Sequence, residues 1–210
     1  MPTSPQRPSA GEGVLLRGDA HAGLSAVADA VLGSSPRREL FLLDVGQDPS
    51  EVDQGPVDVV WSGPDDVSRL HRAGELGAAL RAARARLRAG GLVLLPAPEP
   101  AELKALHAVA PVAVQLGVDG SAGPVGVWDF TAGGSRSYSC HVLDLQRTDD
   151  QWSVQAGVTT WFEVPTGATL RTELVTAGFQ GAQRLPAAEA GTSCAVWAAV
   201  APSSVPPDRA

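Results

Sequence analysis

Apolar positions follow two regimes along this chain. Up to about residue 95 they gather in short unbroken runs, separated by stretches with helical spacing. The runs Gly13–Arg17, Leu40–Val45, Val57–Trp61 and Leu92–Leu95 predict strands buried on both faces. In Ala22–Leu32, Leu24, Val27 and Val31 repeat at helical intervals, and Gly33 to Pro36 mark the end. Glu75–Arg88 has one apolar stripe, Leu76, Leu80, Ala83 and Leu87, and the spacing predicts a helix stopped by Gly90 and Gly91. Strands and helices in this order predict parallel crossover units. Residues 46–55 read as a loop.

After about residue 110 apolar and polar residues alternate in 112–116, 125–130, 137–145 and 152–164, with turn-rich pieces between. This predicts antiparallel strands with one solvated face. Thr169–Ala177 reads as a helix closed by Gly178, with Phe179 packing back on its last turn. Cys194–Val200 reads as a final apolar strand.

Two segments carry a resemblance. VDVVWSG, followed by a helix that ends RARLRAGGLVLL, resembles the later half of class I S-adenosylmethionine-dependent methyltransferases. That family has an acidic residue before an apolar fourth strand, here Asp58, and a Leu-x-x-Gly-Gly turn feeding the fifth, here Leu87 to Gly91. Ala89 stands where the family usually has Pro. The ending Ala177-Gly178-Phe179 is similar to the family's late helix. The resemblance covers roughly residues 12–200 and implies an α/β, Rossmann-like core with a shortened, mostly parallel sheet plus an inserted antiparallel β region. The corresponding boundaries are a tail at 1–11, the core at 12–109, a β lid at 110–164, a completing helix and strands at 165–201, and a tail at 202–210.

The resemblance also implies site residues. VLLRGDAHAG falls where the family's first strand and glycine loop belong. Glycine suits that loop because the backbone must approach the cofactor closely. Gly18 holds the first place, while Ala20 and Ala22 hold the next two, so the loop is a degenerate version. Gly18, Asp19 and Ala20 are thus expected to contact S-adenosylmethionine, and His21 stands where it could fill the cofactor's space. Asp44 is the expected acceptor for the ribose hydroxyls. Only 13 residues separate it from Asp58, too few for the helix and strand the family places there. Either that unit is deleted or the strand at 40–45 is the third rather than the second. Trp61, ending the fourth strand, is expected where methyl donor and acceptor meet. His71 and His141 are candidate general bases, since imidazole titrates near neutral pH. His107 is expected on a helix surface.

Composition narrows the classes. The 210 residues carry a formal net charge of −7, which offers nucleic acid and anionic membrane no attraction. All basic residues but Lys104 are Arg, a bias that points to a GC-rich bacterial genome. The N-terminal stretch lacks the apolar core of a signal peptide, so a cytoplasmic protein is expected, with Cys140 and Cys194 reduced. No His or Cys pair has metal-ligand spacing. The expected partner is a small molecule or another protein, with a homodimer or heterodimer among the arrangements. Three functions remain open. The first is methyl transfer to a small metabolite in a biosynthetic pathway. The second is a non-catalytic pseudo-methyltransferase that activates a partner. The third is a fold-repurposed enzyme such as a cyclase.

Overall fold

The computed structural model describes residues 17–42, 56–99, 102, 124–130, 136–148 and 151–202. Helix α1 spans Arg17–Leu32 and begins five residues before the helix expected from spacing. Arg17 is thus helical rather than the end of a strand, and residues 13–16 lie outside the described ones. Alanine is the strongest helix former, so Ala20, read as a loop position, instead lies in helix that runs through RGDAHAG into the predicted start at Ala22. Leu24, Val27 and Ala28 form its buried stripe.

Strand β1 (Glu39–Phe41) pairs in parallel with β2 (Val57–Trp61), with Phe41 opposite Trp61. The Leu42 N–H extends that ladder to the Trp61 carbonyl at 2.7 Å. The rest of the predicted strand, including Asp44, lies outside the described residues. A helix absent from the sequence reading follows: α2, Asp66–Ala73, ended by Gly74 at φ 73°. Helix α3 (Leu76–Arg86) buries the predicted stripe, but it stops at Arg86, because Leu87 is already extended. LRAGG is therefore the opening of β3 (Leu87–Pro96) rather than a turn closing a helix. Between Val57↔Leu87 and Val59↔Leu92 the register slips, and Gly90 at φ 75° takes up the bulge.

Strands β4 (Pro124–Asp129), β5 (Ser137–Thr148) and β6 (Gln151–Glu163) form a separate antiparallel sheet in the order β4-β5-β6. Helix α4 (Gly167–Thr176) starts at Thr166, whose side chain caps the Thr169 N–H. It ends as the sequence predicts: Gly178 has φ 89°, its N–H reaches the Val175 carbonyl, and the Phe179 N–H reaches Leu174. Strand β7 (Gln180–Leu185) and the short α5 (Ala187–Ala190) precede β8 (Val196–Val200).

The main sheet has the order β1-β2-β3-β8-β7, parallel across the first three strands and antiparallel at β8 and β7. One face carries Val59, Leu92, Leu94 and Val196 against α1. The other carries Val60, Val93 and Leu95 against α2, α3 and α4 through Leu70, Leu80 and Leu174. At about 1.5–3 kcal/mol per fully buried Leu or Val, these two layers supply the main drive for folding.

Candidate functional site

Because β1, β2 and β3 run parallel, their carboxyl ends open on one edge of the sheet, the position where open α/β sheets bind ligands. Trp61 stands on that edge. The Phe41 ring meets it edge-on from β1, centroids 4.9 Å apart, and the His21 ring meets it from α1 at 5.2 Å. His21 Nε2 lies 3.3 Å from Glu39 Oε2. The cleft bordered by His21, Leu24, Glu39, Trp61 and Leu94 encloses no room for a water molecule.

Ser62 follows Trp61 and is only 1% exposed, yet its hydroxyl has no hydrogen-bond partner among the described residues. The Gly63 N–H donates to Asp66 Oδ2 at 2.8 Å, tightening the turn into α2. Asp65 occupies the N-cap of α2, but its side chain makes no cap bond. Instead its Oδ1 accepts the Tyr138 hydroxyl at 2.9 Å, a bond from β5 of the antiparallel sheet to the start of α2. Tyr138 is 1% exposed, and burial, with the Asp65 charge second, holds its phenol far above the ordinary value. Its ring stacks on Phe162 (4.7 Å) and Phe130 (5.4 Å) and lies 5.8 Å from Trp128. A second tie between the antiparallel sheet and α2 joins Arg72 to Glu163 of β6 at 3.3 Å.

Several expected site residues sit elsewhere. Gly18, Asp19 and Ala20 form the first turn of α1, so the expected glycine loop is a helix there. That turn immediately precedes His21, whose ring meets Trp61. Asp44 and His107 lie outside the described residues. His71 occupies the last turn of α2, five residues and about 7–8 Å of rise beyond Asp66, away from the strand ends. His141 belongs to β5, where alternation turns it to the face of the antiparallel sheet opposite Tyr138 and Cys140. There its Nδ1 meets Thr159 Oγ1 at 2.9 Å and its Nε2 meets Ser139 Oγ at 3.2 Å. The structure thus brings neither histidine to the other, and turns His141 away from the Asp65 contact.

The opposite edge has a structural task. Asp58, at the start of β2, accepts the Arg38 N–H at 2.9 Å and pairs with Arg88. These two contacts, the backbone bond first, hold its carboxyl below the usual value. Among the described residues no group of three or more His, Cys, Asp or Glu side chains could hold a metal ion. Cys140 and Cys194 are buried free thiols, pushed up by desolvation to about 11 and about 12. No described helix is long and apolar enough to cross a membrane.

Sequence reasoning missed Tyr138, Asp65 and Phe41. Tyr138 is the only tyrosine of the chain and falls on a buried phase of an alternating strand, which is the signal that was there to read.

No protein-family model matches the chain, and no curated protein matches its sequence. Solved structures do match. The sugar N-methyltransferase KedS8 from Streptoalloteichus superposes with a TM-score of 0.62 at 13% identity, over 97% of this chain and 98% of that one. The CcbJ methyltransferase from Streptomyces caelestis superposes with a TM-score of 0.52 at 13% identity, over 88% and 90%. The mixed main sheet with its flanking helices and the separate antiparallel sheet share the fold of these S-adenosylmethionine-dependent class I methyltransferase structures.

Proposed function

We propose that this chain is an S-adenosylmethionine-dependent methyltransferase for a small metabolite, with the donor at the carboxyl ends of β1 and β2 and the acceptor under the lid. The parallel register of β1 on β2 is the observation that carries this reading. In a doubly wound sheet the strand beside the fourth is the first. The resemblance gives β2 and β3 the fourth and fifth places, so β1 takes the first. On that assignment Gly18, Asp19 and Ala20, in α1, do not follow the first strand of the sheet.

The described edge residues fit the sulfonium end of the cofactor. The rings of Trp61 and Phe41 suit a cationic centre, and the buried Ser62 hydroxyl has no partner among the described residues. When bound, S-adenosylmethionine supplies an electrophilic methyl group. The chain's own part is to orient the acceptor and to exclude water beneath a lid tied down by Tyr138 and Asp65.

A non-catalytic scaffold is the second reading. Two observations favour it: His21 seated on Trp61 with no space between them, and the 13 residues from Asp44 to Asp58, too few for a crossover helix plus a strand. Calorimetric titration with S-adenosylmethionine and S-adenosylhomocysteine separates the two. Catalysis requires binding, and binding that Asp44→Ala leaves unchanged removes Asp44 from the cofactor site while sparing the function. No heat at millimolar cofactor overturns it in favour of the scaffold.

A further inference from the structure

We infer that this chain pairs with a second copy of itself through one face of its antiparallel sheet, the face that carries Val127, Val154 and Trp161. Strand parity defines the two faces. Tyr138, Cys140 and Phe162 point to one of them, where they form the aromatic cluster. The register pairs Val127 with His141, and Ser139 with Trp161, so Val127 and Trp161 share the other face. Strict alternation would send Val154 to the Tyr138 side. The irregularity between Asp144 and Leu145 instead sets Val154 opposite Leu145, two residues beyond Leu143, which returns it to the face of Trp161. Three exposed apolar side chains from two strands thus gather on one surface, whereas the other exposed large apolar residues, Val31, Val158 and Val175, stand singly on α1, the Tyr138 face and α4.

Shape, area and charge fit this face to a copy of itself. Twisted sheets of the same hand stack face to face with their strands about 30° apart, so a sheet face complements its own copy, and a two-fold axis closes the pair. Strands β5 and β6 have 12 and 13 residues, which makes their hairpin about 40 Å long. With β4 beside it the face is about 10–14 Å wide, or about 1,000 Å² over two copies before side-chain relief is counted, which reaches the size of a specific interface. Val125, on the same face, is buried within its own chain and takes no part. Each copy has a net charge of −7, so two copies approach with least repulsion where carboxylates are few. Between the three apolar residues lie Leu143, Gly157, Thr159 and His141, whose ring is held by Thr159 and Ser139. Asp129 and Glu163 stand at the end of the face, and Glu163 pairs with Arg72.

Sedimentation velocity of the full chain at micromolar concentrations, without cofactor, tests the inference. Wild type is expected to sediment as a dimer that dissociates on dilution. Trp161→Asp and Val154→Asp each put a carboxylate into the desolvated contact and raise the dimer Kd about thirtyfold or more, the loss typical of an interface anchor. Val158→Asp is the control. Val158 is more exposed than Trp161, 64% against 44%, but it points to the Tyr138 face, so its substitution leaves the dimer Kd within about threefold. All three positions are exposed in the single chain, and circular dichroism checks that each variant is folded. Should either interface variant fail to fold, the other carries the test. A wild type that stays monomeric throughout overturns the inference. So does a dimer that Trp161→Asp and Val154→Asp leave intact, or one that Val158→Asp weakens as much as they do. Because no cofactor is present, none of these outcomes bears on the methyl-transfer reading, which the calorimetric titration decides.

Discussion

Replacing Asp58 tests how the closed edge of the sheet is held. Its side chain is 22% exposed and accepts one backbone N–H, from Arg38, together with the Arg88 guanidinium. A hydrogen bond to a charged acceptor contributes about 1.5–3 kcal/mol. The Arg88 partner is 45% exposed, so solvent screening reduces that pair to about 0.5 kcal/mol. Asp58→Ala is therefore expected to cost about 2 kcal/mol, or about 4–8 °C in Tm for a chain of this size. The pH dependence has a fixed sign. The folded-state pKa of Asp58 lies below its unfolded value, so its contribution is fully present above the unfolded pKa of about 3.9. That contribution is lost as pH falls through the depressed folded value. Urea unfolding of wild type and Asp58→Ala, followed by circular dichroism at pH 7 and again near pH 3, measures both. A gap between the two proteins that is equal at both pH values refutes the reasoning, since the charge would then contribute nothing.

Three further outcomes follow from the same packing. Leu80→Ala, at a fully buried position of α3, should lower unfolding free energy by about 2–5 kcal/mol in denaturant titrations. Gly178→Ala places a Cβ on a residue at φ 89° and should cost about 1–2 kcal/mol by the same measurement, while an alanine at Gly63, where φ is not left-handed, is free of that backbone term. His21→Ala removes the ring that sits against Trp61, so S-adenosylmethionine titrated calorimetrically should bind tighter than to wild type if His21 occupies cofactor space. Unchanged affinity removes His21 from that role.

Much of the fold was legible because it is written in local spacing. The apolar run of β2, the stripe of α3, the Gly178–Phe179 ending of α4 and the alternation of the lid strands each report a pattern completed within a few residues. What escaped depends on partners far away or on weak patterns. Helix α2 has eight residues and buries only Val67, Ser68 and Leu70, too little for a periodic signal. Strand β7 is exposed at most positions, so it lacks an apolar run. The place of β1 beside β2 is a property of sheet order, which no window of sequence contains. The site was less legible still. Strand parity shows that Tyr138 and His141 face opposite ways, but not which face meets the core. The bond that decides it joins residues 73 positions apart.

The brevity of β1 has a consequence for solubility. Among the described residues it ends the main sheet, and an end strand offers unpaired N–H and C=O groups to any passing chain. Here that open ladder is only three residues long, with Arg37 and Arg38 leading into it and Glu39 opening it. Arg37 is pinned by Asp29 and Glu39, which keeps fixed charges beside the opening. Lengthening this strand with apolar residues, as a designer restoring a larger sheet would do first, would remove a safeguard against edge-to-edge growth.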